Sequence, residues 1–122
     1  MAKIFLDTNC LINILGRQPK KDILTPLLNH TLLISPLSFH IYCYINKIKI
    51  SNKKVLEQKE EFEIVEFSEN ILECSLQGPT ADFEDNVQLH SAANAECNIF
   101  LTEDKKLLQM KFFGKVKITN SA

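Results

Sequence analysis

The sequence contains few of the residues that interrupt regular secondary structure. It has 3 Gly and 4 Pro among 122 residues, and it has no Trp. Gly and Pro supply the turns of loop-rich proteins, so an all-β fold with many short connections is disfavoured and we expect helices to dominate. Hydrophobic residues make up 45% and charged residues 24% of the chain, which excludes a disordered or collagen-like protein.

A strong net charge and long apolar runs are also missing. The sum of 14 Lys and Arg against 15 Asp and Glu gives a net charge of −1, so any binding of nucleic acid must depend on local patches. No apolar run approaches the ~20 residues of a membrane-spanning helix. Asp7 interrupts the apolar core that a signal peptide would need. We expect one domain over residues 1–122, located in the cytoplasm and not associated with a membrane.

The four cysteines do not form a CxxC pair. They are Cys10, Cys43, Cys74 and Cys97, and this spacing is not that of a structural zinc site. Each lies within a segment of apolar periodicity. We therefore predict buried, free thiols in a reducing compartment.

Short apolar runs alternate with segments of helical periodicity along the chain. Strands are predicted over residues 3–6, 31–34, 63–67, 98–101 and 115–119. Helices are predicted from residue 8 to Gly16 and over 20–30, 36–48, 49–61, 69–78, 83–97 and 105–110. This alternation indicates βα units, and hence an α/β fold with a mostly parallel sheet that is covered by helices on both faces.

The helix after the second strand has a clear start signal. Ser35 offers a hydroxyl N-cap, and Pro36 occupies the first helical position. Its apolar residues are expected to form one face: Leu37, Ile41, Tyr44, Ile45 and Ile48. The aromatic residues Phe39, Tyr42 and Tyr44 are candidates for an interface, although the helix core is their commoner use.

Polar residues directly follow several of the predicted strands. In open α/β sheets, ligands bind beyond these carboxyl ends of the strands. Asp7 and Ser35 follow the first two strands, Thr102 and Asp104 follow the strand that ends at Leu101, and Asp85 lies in the helix before that strand. Carboxylates gathered in one place repel each other unless a cation lies between them. Mg²⁺ and Mn²⁺ take oxygen ligands and promote hydrolysis of phosphodiesters.

Helix capping is an alternative role for each of these acids. Asp7 would cap the helix that begins at Thr8, and Asp104 the helix that begins at Lys105. Asp82 and Asp85 have the spacing of a capping-box variant. For each acid alone, capping is the favoured interpretation, and only their combination favours a metal site.

Two stretches together resemble the PIN-domain family of metal-dependent ribonucleases, in particular its small VapC-type toxins. They are IFLDTNCLIN near the N-terminus and DFEDNVQLHSAANAECNIFLTEDKKLL over residues 82–108. The resemblance matches Asp7, Asp85 and Asp104 to metal ligands with a catalytic role, and Thr8, Asn9, Ser35 and Thr102 to supporting polar residues. It implies an α/β/α sandwich, Mg²⁺ or Mn²⁺ as cofactor, RNA as substrate, a homodimer and a small antitoxin partner.

The sequence departs from the family pattern in the helix after the second strand. The family usually has a Glu six residues after its Ser, and this position is Ile41 here. No Asp or Glu occurs between Asp22 and Glu57. His40 is adjacent, but neighbouring helical residues point about 100° apart, so we interpret it as a surface or packing residue. Asp82, one helical turn before Asp85, offers a further carboxylate for the metal.

Three functional hypotheses follow. In the first and favoured one, three remaining acids hold one Mg²⁺ or Mn²⁺, and a metal-activated water hydrolyses RNA. In the second, the site has decayed, and the domain binds RNA or protein without cutting it. The third is a phosphatase that forms an aspartyl-phosphate on Asp7; such enzymes need a second Asp where this chain has Asn9, so it is disfavoured.

Lysines are the candidates for contacts with RNA phosphates. Lys105 and Lys106 are preferred because they follow Asp104 directly, within a cluster that also includes Lys111, Lys115 and Lys117. A second cluster, over residues 47–54, is interpreted as a solvated face.

Overall fold

The computed structural model describes residues 1–16 and 25–121. Within these residues the chain forms six strands and six α-helices. The strands are β1 (Lys3–Leu6), β2 (Thr31–Ile34), β3 (Glu63–Ile64), β4 (Ile99–Leu101), β5 (Phe112–Phe113) and β6 (Val116–Thr119). The helices are α1 (Thr8–Leu15), α2 (Pro36–Ile45), α3 (Lys53–Lys59), α4 (Glu69–Ser75), α5 (Phe83–Asn94) and α6 (Lys105–Met110).

The strands form one sheet in the order β3-β2-β1-β4-β6-β5. All neighbouring pairs are parallel except β5 and β6, which are antiparallel. The central strand β1 lies between β2 and β4, so the three polar segments that follow these strands lie at one edge of the sheet. The predicted mostly parallel α/β sheet is confirmed.

A hydrophobic core lies on each face of the sheet because successive strand residues point to opposite sides. Ile4 and Leu6 face a core that contains Leu11 of α1. Phe5 faces the other core, where its ring stacks on Phe100 with centroids 5.6 Å apart. Residues of α4, α5 and α6 complete this second core. Helices therefore cover both faces, as predicted for an α/β/α sandwich.

Several predicted boundaries were wrong. The predicted helix over 20–30 lies partly outside the described residues, and from Thr25 it is a 3-10 helix to Leu27 and then a turn. The strand predicted over 63–67 is only two residues long. The helical segment over 49–61 is reduced to α3. The helix predicted to end at 97 ends at Asn94, because Glu96 adopts a left-handed backbone with φ of 56°.

The predicted apolar face of α2 was wrong in part: Leu37 is half-buried against one core, but the buried face does not continue to Tyr44 and Ile45. Tyr44 and Ile45 are 78% and 58% exposed, and the buried residues of the helix are Ser38 and Tyr42. Within this i, i+4 stripe, Ser38 Oγ lies 3.0 Å from Thr8 Oγ1 in a buried hydrogen bond. A polar contact therefore contributes to the orientation of α2 alongside the packing of Leu37 and Phe39 against the two cores.

The four cysteines are free thiols. Cys10 and Cys97 are buried, as predicted, whereas Cys43 and Cys74 are only half-buried. Burial raises the pKa of the Cys10 thiol far above its usual range, and it raises the pKa of Cys97 to about 11. Both thiols therefore stay protonated at neutral pH. None of the described helices combines the length and apolar character required to cross a membrane.

Candidate active site

The carboxyl ends of β1 and β4 bring two distant segments into contact. Leu6 and Leu101 are paired in the parallel register, and Asp7 and Thr102 follow them directly. The Asp7 N–H donates to the Leu101 carbonyl at 3.2 Å, and Thr102 Oγ1 donates to Asp7 Oδ2 at 2.5 Å. Sheet pairing thus places a carboxylate and a hydroxyl that are 95 positions apart in direct contact.

Thr102 connects Asp7 to Asp104. Its hydroxyl is fully buried. While it donates to Asp7, Thr102 Oγ1 accepts the Asp104 backbone N–H at 3.0 Å. One side chain therefore fixes the position of both acids.

The acids also cap helices, so the capping role predicted for each acid is compatible with a role in a shared site. Asp7 Oδ1 accepts the Cys10 N–H at 2.8 Å. Asp104 Oδ1 accepts two amide N–H groups of α6, at 2.8 and 3.2 Å. Asp82 Oδ1 accepts the Asp85 N–H at 2.9 Å. The reciprocal half of the capping box is replaced, because the Asp82 N–H donates to Thr80 Oγ1.

Asp85 experiences the charges of the other acids. It is half-buried, and burial raises the pKa of its carboxyl to about 6. The negative charges of Asp82, Asp104, Glu84 and Asp7 contribute, in decreasing order. Burial and the neighbouring negative charges therefore both disfavour the ionised form of Asp85.

An open cleft of about 920 Å³ lies beside Asp82, Asp85 and Asp104 but not beside Asp7. Its lining comprises Pro79, Thr80, Ala81, Asp82, Asp85, Asp104, Lys105, Lys106, Leu107 and Met110. Three carboxylates thus share the cleft with two lysine ammonium groups. Lys115 instead lines a separate cavity with Cys97, so the predicted lysine cluster is divided and only Lys105 and Lys106 reach the acids' cleft.

Other residues of the predicted site have different surroundings. Ser35 is fully buried, and its Oγ accepts the Leu37 N–H at 3.2 Å as the N-cap of α2. Asn9 is exposed on the first turn of α1. Ile41 is half-buried one turn after Ser38. His40 is exposed, and its ring stacks on that of Tyr44, so it is a surface residue, as interpreted from the sequence.

Gln88 on α5 is a site residue that sequence reasoning missed. It is buried, and its Oε1 accepts the Thr8 backbone N–H at 2.8 Å. Its Nε2 donates to Thr8 Oγ1 at 3.0 Å and to Glu84 Oε1 at 3.3 Å. An available signal was the pair of amides within the otherwise core-forming stretch of α5.

Asn86, the other buried amide of α5, was also missed. Its Oδ1 accepts the Thr80 N–H at 2.9 Å and the Thr80 hydroxyl at 2.7 Å. Its Nδ2 donates to the carbonyls of Ser75 and Thr80, both at 2.9 Å. Asn86 therefore fixes the loop between α4 and α5, which forms one wall of the cleft.

The donor chemistry of the site fits a hard divalent cation, but the ligand set is open. Carboxylate oxygens are the ligands that Mg²⁺ and Mn²⁺ prefer, and a cation would stabilise the ionised form of Asp85, which burial and the neighbouring carboxylates disfavour. Across residues 1–16 and 25–121, however, no three His, Cys, Asp or Glu side chains are grouped closely enough to hold a metal ion.

Comparisons with known proteins agree with this fold. The PIN domain model matches residues 4–113. A chain in the structure of FitAB bound to an IR36 DNA fragment is 21% identical, with a TM-score of 0.65; the match covers 95% of this chain and 93% of that one. A chain in the structure of Rickettsia felis VapBC2 bound to a promoter DNA fragment is 15% identical, with a TM-score of 0.61; the match covers 96% of this chain and 97% of that one. No curated protein matches the sequence significantly.

Proposed function

Because the chain belongs to the PIN domain family, we propose that it is an endoribonuclease whose acidic residues are Asp7, Asp85 and Asp104. The observation that carries the proposal is the hydrogen-bonded chain from Asp7 through Thr102 to Asp104, together with the raised pKa of Asp85. Asp85 and Asp104 line one cleft, and Asp7 is linked to Asp104 through Thr102, which supports a shared role for the three acids.

Mg²⁺ or Mn²⁺ is the proposed cofactor. When bound, such an ion supplies an activated water and neutralises charge that develops on the phosphate. Asp7, Asp85 and Asp104 would hold it together with substrate phosphates, and Asp82, which lines the cleft with Asp85 and Asp104, offers a further carboxylate. Because Ile41 contributes no oxygen, we expect weak affinity in the absence of RNA. Mg²⁺ is commonly held by one or two carboxylates plus substrate phosphates.

The other residues of the proposed site would bind RNA or orient the acids. Lys105 and Lys106 line the cleft beside Asp104, and their ammonium groups would bind RNA phosphates flanking the bond to be cut. Thr102 holds Asp7 and Asp104 in a fixed relation through its single hydroxyl. Thr8 belongs to the buried network around Gln88 and supports Asp7 from the adjacent position.

We also propose that the protein is the toxin of a toxin–antitoxin pair, acting as one cytoplasmic domain. Support comes from the likeness to chains of the FitAB and VapBC2 complexes. A small antitoxin would block the cleft, and the toxin would form a homodimer. The exposed Tyr44 and Ile45 of α2 offer apolar surface for one of these contacts.

A second candidate function rests on Ile41. A half-buried isoleucine where the family usually has a carboxylate favours a catalytically inactive relative that binds RNA or protein. RNA binding by such a module would not change when EDTA removes divalent cations.

Cleavage of a mixed, structured RNA in Mn²⁺ or Mg²⁺ tests the proposal. The wild type is compared with an EDTA sample and with three variants: Asp7→Asn, Ile41→Glu and the control Glu73→Gln on the exposed surface of α4. Asn is also a good N-cap, so Asp7→Asn should fold, and circular dichroism checks this. We expect Asp7→Asn to lower cleavage at least about 100-fold, EDTA to abolish it and Glu73→Gln to leave it unchanged.

Two results would favour the alternative. An inactive wild type together with an active Ile41→Glu would show that the missing carboxylate had ended catalysis in the natural protein. If neither cleaves, calorimetric titration with Mn²⁺ decides, because a nuclease site must bind the ion and a decayed site need not. Cleavage that survives both EDTA and Asp7→Asn would exclude these acids.

A further inference from the structure

Gln88 joins two parts of the proposed site that are 80 residues apart in sequence. It lies on α5, which carries Asp85 in its first turn. Its amide binds both the backbone N–H and the hydroxyl of Thr8, the residue after Asp7. A two-point contact of this kind fixes the distance and the angle between the two segments.

The same network extends to α2. Thr8 Oγ1 lies 3.0 Å from Ser38 Oγ, and Ser38 is one helical turn before Ile41. On the other side, Gln88 Nε2 donates to Glu84 Oε1 at 3.3 Å. A network of side-chain hydrogen bonds thus ties α5, the start of α1 and α2 together.

A polar residue at position 88 is costly unless its bonds are made. Gln88 is 1% exposed, between Val87 and Leu89, which are fully buried core residues. Leucine would fill a similar volume without needing partners, whereas each hydrogen bond that a buried amide leaves unmade is destabilising. Gln88 is therefore suited to specifying one arrangement of the helices rather than to filling space.

We propose that Gln88 is a positioning residue of the nuclease site, which holds Thr8, and through it Asp7, in register with Asp85. This inference rests on the proposed function. It explains how three acids keep a defined arrangement although the family's fourth acid is replaced by Ile41: the hydrogen bonds that link Gln88, Thr8 and Ser38 hold α5, the start of α1 and α2 together.

The test compares Gln88→Leu with the wild type and with Gln77→Leu, a control at an exposed glutamine after α4. Four quantities are measured: kcat and KM for RNA cleavage, the Kd for Mn²⁺ by calorimetry, hydrogen exchange of the Thr8 amide, and Tm. We expect Gln88→Leu to remove the protection of the Thr8 amide, to lower kcat about tenfold or more with KM within about twofold, and to weaken Mn²⁺ binding at least about threefold.

Thr8→Val and Thr8→Ser test the hydrogen bond between Gln88 and Thr8 by changing Thr8 instead. They decide whether this contact positions the site if Gln88→Leu does not fold. Thr8→Val removes the hydroxyl with little change of shape, and Thr8→Ser keeps it. We expect Thr8→Val to show the loss of kcat and of Mn²⁺ affinity, and Thr8→Ser to restore both.

The outcomes separate this inference from the function on which it rests. A wild type that neither cuts RNA nor binds Mn²⁺ overturns the proposed function, and the positioning role with it. An active wild type with an equally active Gln88→Leu, whose Mn²⁺ affinity is unchanged while Tm falls, overturns the positioning role alone. Equal activity and metal affinity of Thr8→Val and Thr8→Ser would also overturn it.

Discussion

Helices α2 and α5 differ in which of their residues are buried. In α5 the polar residues Asn86, Gln88 and Ser91 are buried, and each makes hydrogen bonds. In α2 the large apolar side chains of Tyr44 and Ile45 are exposed. The more polar helix is therefore the more deeply buried one.

This difference shows that hydrogen-bonding partners, as well as apolar content, decide which face of a helix is buried. Burial of an amide is tolerated when every bond is made, and Asn86 makes four with the segment from Ser75 to Thr80. At the C-terminal half of α2 the apolar residues extend past the contact with Thr8 and remain available for a partner.

The largest expected effect comes from removing equivalent apolar groups from the two helices. Leu89→Ala in α5 should lower the free energy of unfolding by about 3 kcal/mol, because Leu89 is fully buried and the substitution leaves a cavity. Ile45→Ala in α2 should change it by less than about 0.5 kcal/mol. Urea denaturation of both variants measures the contrast, and equal losses would mean that Ile45 is covered in solution, for instance within a dimer.

Removing an amide should have a somewhat smaller effect. Asn86→Ala leaves the Ser75 and Thr80 carbonyls and the Thr80 N–H without the partner they have in the native loop. We expect a loss of about 2 kcal/mol in urea denaturation. Asn94→Ala, at the exposed end of the same helix, is the matched control and should cost less than about 0.5 kcal/mol. If the two variants are equally stable, the loop bonds of Asn86 do not contribute.

The smallest effect concerns the acid at the start of α5. Burial and neighbouring charges raise the pKa of Asp85 from 3.8 to about 6, so between these values the folded state binds more protons than the unfolded state. The free energy of unfolding should therefore fall as the pH rises from about 4 to 7, the opposite of the usual behaviour of a paired carboxylate. Because Asp85 is half-exposed, solvent screening limits this contribution to roughly 1 kcal/mol.

Asp85→Asn should lack this pH-dependent contribution to the free energy of unfolding. Measured in EDTA, its free energy of unfolding relative to the wild type should increase by roughly 1 kcal/mol between pH 4 and 7. Glu73→Gln, on the exposed surface of α4, provides the control. A constant difference between Asp85→Asn and the wild type across this range would show that the acids do not converge on Asp85.

The order of strands and helices could be read from the sequence because its signals are local. Ser35 and Pro36 start α2 as predicted, and Asp104 caps α6. Short features were less predictable: β3 is two residues long, and the two-residue β5 was missed because it is defined by its pairing with β6. Strands this short are stabilised by pairing with adjacent strands, and a local sequence pattern does not reveal that pairing.

The candidate site was predictable in part for the same reason. Asp7, Thr102 and Asp104 could be placed together because parallel strands end at the same edge of a sheet. The bonds of Gln88 to Thr8 could not be foreseen, because they depend on how α5 lies against the start of α1. The sequence also gave no reason to separate Lys115 from Lys106, and the sheet places them at different cavities.

Local patterns in the sequence established the alternation of strands and helices, the helix caps, the acids after the strands and the absence of a carboxylate at Ile41. These features follow from backbone propensities, capping chemistry and residue identity, all of which act over a few residues. Which polar groups are buried together depends instead on the assembled fold, because burial and hydrogen bonding between segments 80 to 95 residues apart arise when the sheet and its two helical layers come together.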